Sequence, residues 1–322
     1  MRKLAFFLCL FFGSQLQAQT LAAPDAIRVR EFYRLESQIA EKVWTGWSTT
    51  PDSLLLVTED TEYLTHHPHP PADFTKIDQD WSARKRQFPT SLLATFPAFG
   101  PLSVIVIGEP ASTTAKTSTP WIATLFHEHF HQLQDSQPGS FDAVKKLGLD
   151  HGDTSGMWML NYPFPYDKPE VVKSFDALRQ LLLETLDEPD GHRFQILARH
   201  YAAERRRFFA ALTTDDGKYF EFQLWKEGIA RYVEIRSAEA AKEYKPTAEY
   251  AALPDYESFA DYASKVRKNT AEELRQADIA KWKRTVVYSF GAGEGLLLDR
   301  LNPAWRQTYF SHGFTLAPYF TR

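Results

Sequence analysis

The chain predicts an α+β protein in which helix is the larger share. Two β-branched, apolar runs bounded by turn residues, "SLLLVTED" (53–60) and "PLSVIVIGEP" (101–110), read as strands. From about residue 170 onward helical patterns dominate, over 168–187, 191–213, 218–244, 256–280 and 290–301. A small sheet with many helices belongs to the α+β class.

The start, "MRKLAFFLCLFFGSQLQAQT", has Arg2 and Lys3, then an apolar core from Leu4 to Phe12, then Ala18 as a cleavage position. That is the pattern of an export signal, 1–18, and it directs the protein to a periplasm or to secretion. Its apolar run is too short to span a bilayer, and no later stretch approaches the roughly 18 apolar residues needed. The only cysteine, Cys9, lies inside the signal, so residues 19–322 carry no thiol and no disulfide. "AIRVREFYRLESQIAEKVWTGW" (26–47) reads as an amphipathic helix. We divide the mature chain into an N-terminal lobe, about 19–118, and a helical part, about 119–322, within one catalytic unit. The full chain has net charge −4, and removing Arg2 and Lys3 leaves −6, which argues against nucleic acid as a partner.

The most informative stretch is "FHEHFHQLQ" (126–134). On a helix, His127 and His131 stand one turn apart on one face, while His129 projects about 200° away from His127. With Glu128 this is H-E-x-x-H: two neutral imidazoles bind zinc and the carboxylate between them reaches a metal-bound water. With 10 His and 21 Glu in 322 residues, about 0.02 such matches arise by chance. Thr119 as N-cap, Pro120 at the first helical position and Pro138-Gly139 as the stop predict a helix around the motif. Trp121, Leu125, Phe126, Phe130 and Leu133 give that helix an apolar surface to bury.

A catalytic zinc usually takes three protein ligands and leaves the fourth position for water. "LWKEGIARYVE" (224–234) offers Glu227, followed by Gly228, a costly helix residue that close packing against the histidine helix would explain. His127, Glu128 and His131, with a later helix carrying Glu227, Gly228, Ala230 and Tyr232, resemble the gluzincin metallopeptidases. The resemblance spans roughly 101–300 and implies a zincin-like, thermolysin-like catalytic core. It further implies His127, His131 and Glu227 as zinc ligands, Glu128 as general base, and an edge strand that binds an extended peptide. We expect "SVIVIGEP" to be that edge strand.

The chain also departs from the family. The gap between His131 and Glu227 is longer than in the thermolysin or aminopeptidase patterns, so Glu234 stays a rival ligand. Arg231 stands where a thermolysin-like enzyme has an aspartate that orients a histidine, and Glu234 or Asp153 could fill that role. The Met and Asn of the gluzincin aminopeptidase motif are missing from "IGEPAS". By resemblance Tyr288 is the candidate oxyanion donor, with His200 and Tyr232 as alternatives and a buried structural tyrosine as the plainer reading.

Other signals are weaker. His66, His67 and His69 in "HHPHPP" could bind a second metal or line a cleft, but the prolines favour a surface loop. "GAGEG" (291–295) reads as small residues for close helix packing, and "ERRRFF" (204–209) as a solvated helix face. The function these features predict is an exported zinc metallopeptidase acting on a peptide or protein substrate. The alternatives are a zinc hydrolase of a non-peptide amide or ester, and a non-catalytic zinc-binding interaction protein.

Overall fold

The two apolar runs lie side by side as parallel strands, and the cover on each of their faces shapes the rest of the chain. The computed structural model describes residues 21–320, so the export signal read at 1–18 lies outside the described residues. α1 (Ala23–Val43) leads into β1 (Leu54–Val57), β2 (Thr61–Thr65), β3 (Thr75–Lys76), β4 (Trp81–Lys85), β5 (Leu93–Phe96) and β6 (Val104–Gly108). They form one mixed sheet in the order β3-β4-β2-β1-β6-β5, with β1 and β6 parallel and the other pairs antiparallel.

β1 and β6 are apolar throughout because both of their faces are covered. Leu54, Leu56, Ile105 and Ile107 face the large core shared with the helices. Leu55, Val57, Val104 and Val106 face a second cluster under Phe74, Phe88, Phe96 and Phe99. β2 to β5 lie outside the two predicted runs because they are short, and β2, β3 and β4 also carry charged residues. Glu62 of β2 is fully buried, yet it pairs with Arg84 of β4 at 2.7 Å and accepts from the backbone N–H of Gln87 at 2.7 Å. A buried carboxylate is tolerated only when saturated in this way.

The sheet corrects one expectation. The run 101–110 is not an edge, because β6 sits between β1 and β5, and β5 is the edge strand on that side. A Cβ on Gly108 would lie 1.7 Å from the Thr90 carbonyl oxygen, so the segment entering β5 can cross β6 only at a glycine.

Beyond the sheet the chain is mostly helical: α2 (Ser118–Asp135), α3 (Ser140–Lys145), α4 (Trp158–Asn161), α5 (Pro169–Asp187) and α6 (Gly191–Ala210). α7 (Thr214–Gln223) and α8 (Ile229–Ala240) are one helical run joined by a π turn at Leu224–Gly228. α9 (Ala248–Ala251), α10 (Phe259–Gln276), α11 (Ile279–Trp282) and α12 (Val286–Leu301) complete the α+β architecture, and 3₁₀ turns at Trp305–Ser311 and Ala317–Phe320 close it. Among the described residues no helix is long and apolar enough to cross a membrane.

Two further expectations change. Gly228 packs against α12, not against the histidine helix: a Cβ there would lie 2.6 Å from the Gly291 Cα. The π turn and α12 therefore cross backbone to backbone at Gly291, while Gly293 lies against Leu182 and Leu274 and Gly295 against the Tyr232 ring. Within "ERRRFF", Arg205 is buried, not solvated, and pairs with Glu221 at 2.5 Å and Glu294 at 2.6 Å. This network ties α6, α7 and α12 together, and removing one partner of such a group costs about 3–5 kcal/mol.

Candidate metal centre

α2 forms where an apolar face asks to be buried, and Trp121, Leu125, Phe126, Phe130 and Leu133 are all buried. It starts at Ser118 with Thr117 in the cap position, ahead of the expected Thr119. Thr119 instead lies inside the first turn and donates its hydroxyl to the Glu257 carbonyl at 2.5 Å. A tertiary bond has replaced the local one. The helix ends at Asp135, ahead of Gly139 with φ 71°.

The four-residue spacing sets the His127 and His131 ring centroids 4.9 Å apart. Glu227 meets them from the π turn, a rare distortion that re-aims side chains and is frequent at functional sites. Its Oε2 lies 3.5 Å from His127 Nε2 and 3.3 Å from His131 Nε2. Each of the three residues offers a ligand atom within 4.8 Å of the others, and among the described residues no other such group occurs. A tetrahedral zinc with ligands at about 2.0–2.1 Å spaces them about 3.3–3.4 Å apart. The donor types fit that ion, and so do the two distances from Glu227. Burial pushes the Glu227 carboxyl up, but His131 and His127 against it more than offset this and hold it well below the usual carboxylate range.

A hydrogen bond orients the His131 ring, and a carboxylate stands behind the His127 ring. The Gln134 amide nitrogen faces the carbonyls of Trp225 and Lys226, which can only accept, so its Oε1 faces His131 Nδ1 at 2.7 Å. His131 therefore donates from Nδ1, which leaves Nε2 as the ring atom that faces Glu227. Behind His127, Glu234 Oε2 lies 3.8 Å from Nδ1. Glu234 is itself held by Arg231 at 2.8 Å and Tyr262 at 3.2 Å. Of the two rival glutamates, Glu227 faces the convergent nitrogens and Glu234 stands behind one ring. Asp153 is not at the site: it accepts from the backbone N–H groups of Ser155 and Trp158, both at 2.7 Å, and folds its own loop.

Glu128 is buried beside the triad, and the Thr95 hydroxyl of edge strand β5 donates to its Oε2 at 2.8 Å. Burial raises its carboxyl to about 7, with His127 opposing and Glu227 adding to the rise. Tyr288, in the first turn of α12, stacks on His127 with centroids 5.9 Å apart, and Arg284 Nη2 donates to its hydroxyl at 3.3 Å. Burial, and then Glu227, push the Tyr288 phenol up, so it stays a donor at neutral pH. Arg284 Nη1 lies 3.6 Å from Glu227 Oε1. The alternative donors lie elsewhere: Tyr232 donates to Asp299 at 2.8 Å, and His200 is exposed beside Glu204.

His129 faces the other side of α2, fully buried and stacked on Trp47 at 5.3 Å, with Nδ1 2.8 Å from Gln132 Oε1. His129→Ala should therefore keep zinc while losing about 2–4 kcal/mol of stability, through a cavity and an unpaired Gln132. Metal analysis and urea unfolding of the same preparation check both halves. "HHPHPP" forms no cluster of ligands: His66 pairs with Asp52 at 2.7 Å and stacks on Tyr33, while His67 Nδ1 accepts from the backbone N–H of His69 at 3.2 Å.

Sequence reasoning missed Thr95, Gln134 and Arg284. Gln134 had a local signal, since it lies three residues beyond His131 and so shares its face. Thr95 and Arg284 reach the site only through the tertiary fold. The chain matches no family model, no curated protein and no solved structure, so the reading of this site rests on its own chemistry.

Proposed function

We propose that this protein is an exported zinc-dependent metallopeptidase with a zincin-like core of the gluzincin kind. One observation carries the reading: two imidazole nitrogens and a carboxylate converge, and a second, buried carboxylate lies beside them. Zinc held by His127, His131 and Glu227 would act as a Lewis acid and bring the pKa of a bound water to about 7. The start "MRKLAFFLCLFFG" supports export.

The protein's own groups divide the remaining work. Glu128 takes the proton of the attacking water and passes it to the leaving amine nitrogen. Thr95 fixes the carboxylate of Glu128 from the edge strand. Tyr288, kept protonated, donates to the substrate oxygen as it becomes negative, with Arg284 holding the phenol in place. The half-buried edge strand β5 beside α2 favours an extended peptide over a compact amide, because its outer backbone groups can pair with a substrate strand.

The test is cleavage of a diverse peptide library by the zinc-loaded protein, with small amides and esters in parallel. Peptide cleavage supports the reading. Hydrolysis of small amides or esters alone transfers it to a non-peptide hydrolase. Zinc binding without any hydrolysis leaves a zinc-binding interaction protein.

A further inference from the structure

The side chain behind His131 does more than orient that ring. The Gln134 Nε2 group lies 3.2 Å from the Trp225 carbonyl, 3.2 Å from the Lys226 carbonyl and 2.9 Å from the Tyr309 hydroxyl. Tyr309 in turn donates to the Trp225 carbonyl at 2.5 Å. These two carbonyls belong to the π turn, immediately before Glu227. One amide therefore touches both halves of the metal set: its oxygen fixes His131, and its nitrogen fixes the backbone that carries Glu227.

Tyr309 is well placed to hold its end. It is fully buried in the 3₁₀ turn Trp305–Ser311, and its ring stacks on Trp225 at 4.8 Å with the planes 4° apart. Trp44 packs edge-on against the same ring at 5.0 Å. The C-terminal segment is thus wedged against the π turn, although 84 residues separate Tyr309 from Trp225. A π turn is a distortion that the surrounding structure must hold, and here the holding bonds come from the histidine helix and the C-terminal turn.

We infer that Gln134, backed by Tyr309, is a positioning residue that couples His131 to Glu227 and so sets the affinity and geometry of the metal site. This rests on the metal reading proposed above. A partner behind a metal ligand typically contributes about 10–100-fold in affinity. Gln134 stands behind one ligand directly and behind a second through the backbone, so its loss should fall at the upper end of that range.

Three substitutions separate the roles. Gln134→Ala removes both contacts. Gln134→Glu still accepts from His131 Nδ1 but has no N–H for the π-turn carbonyls. Tyr309→Phe deletes one oxygen and leaves the Gln134–His131 bond in place, and it keeps the test open if the Gln134 variants fail to fold. Zinc affinity is measured by competition with a chelator, and ligand geometry by the visible absorption of the cobalt(II)-substituted protein. Near-UV circular dichroism of the metal-free protein reports folding.

We expect the loss of zinc affinity to be largest in Gln134→Ala, smaller in Gln134→Glu and smallest in Tyr309→Phe, each with an altered cobalt spectrum on a folded chain. Gln134→Glu and Tyr309→Phe variants that bind zinc as tightly as wild type, with its cobalt spectrum, would overturn the inference. In that case zinc loss in His127→Ala and Glu227→Ala would keep the metal reading intact. A wild type that binds no zinc removes both.

Discussion

Glu128→Gln should leave zinc bound and lower turnover by about 10²–10⁴-fold, the usual contribution of a positioned base. The substitution keeps the shape of the side chain, and the amide oxygen can still accept from the Thr95 hydroxyl that now lies 2.8 Å from Oε2. What it loses is the ability to take a proton. Because Glu128 is buried and does not belong to the convergent donor set, neither the fold nor the metal should notice the change. Zinc content and peptide cleavage of the same preparation separate the two effects. Unchanged cleavage would assign the activity to another group or to a contaminant.

Glu227→Ala should have the second large effect. It removes the carboxylate that both Nε2 atoms face, so zinc affinity should drop by more than the roughly 10–100-fold that a group behind a ligand contributes. Glu234→Ala is the control. Glu234 stands behind His127 at 3.8 Å from Nδ1, so its loss should weaken zinc less than the loss of Glu227. Removing Glu234 also leaves Arg231 with Glu273 alone at 3.2 Å, which adds a stability penalty of the kind seen when one partner of a part-buried pair is lost. The reverse order of affinities would mean that the third ligand had been misassigned by one heptad.

What could be read from the sequence was whatever is local. The spacing of His127 and His131 fixes a shared face on any helix, and the apolar residues around them require that helix to be buried. β1 and β6 could be read because burial on both faces makes them uniformly apolar. β5 could not. Leu93–Phe96 is short and half-buried, and its place at the edge depends on the glycine that lets Thr90 cross β6. The π turn was also invisible, since a pattern of period 3.6 continues through it, and so was the reason Glu227 points at the histidines.

Two misreadings share one cause. Gly228 and Gly291 are each visible as glycines inside helical patterns, yet only the fold shows that they touch each other. Arg205 sits in a run of basic residues that looks solvated, and the carboxylates that bury it lie 16 and 89 residues further on. Pairings across such separations leave no trace in a single sequence. Arg231, which departs from the thermolysin-like pattern, holds Glu234 at 2.8 Å, and Glu234 lies 3.8 Å from His127 Nδ1.

The measurement that bears most directly on the proposed zinc site is the metal content of the purified chain after it has been stripped with a chelator, reloaded and dialysed. We predict one zinc per chain in the wild type, the same in Glu128→Gln and His129→Ala, and a loss in His127→Ala, His131→Ala and Glu227→Ala. A wild type that retains no zinc, or a His127→Ala variant that retains as much as the wild type, would contradict the assignment.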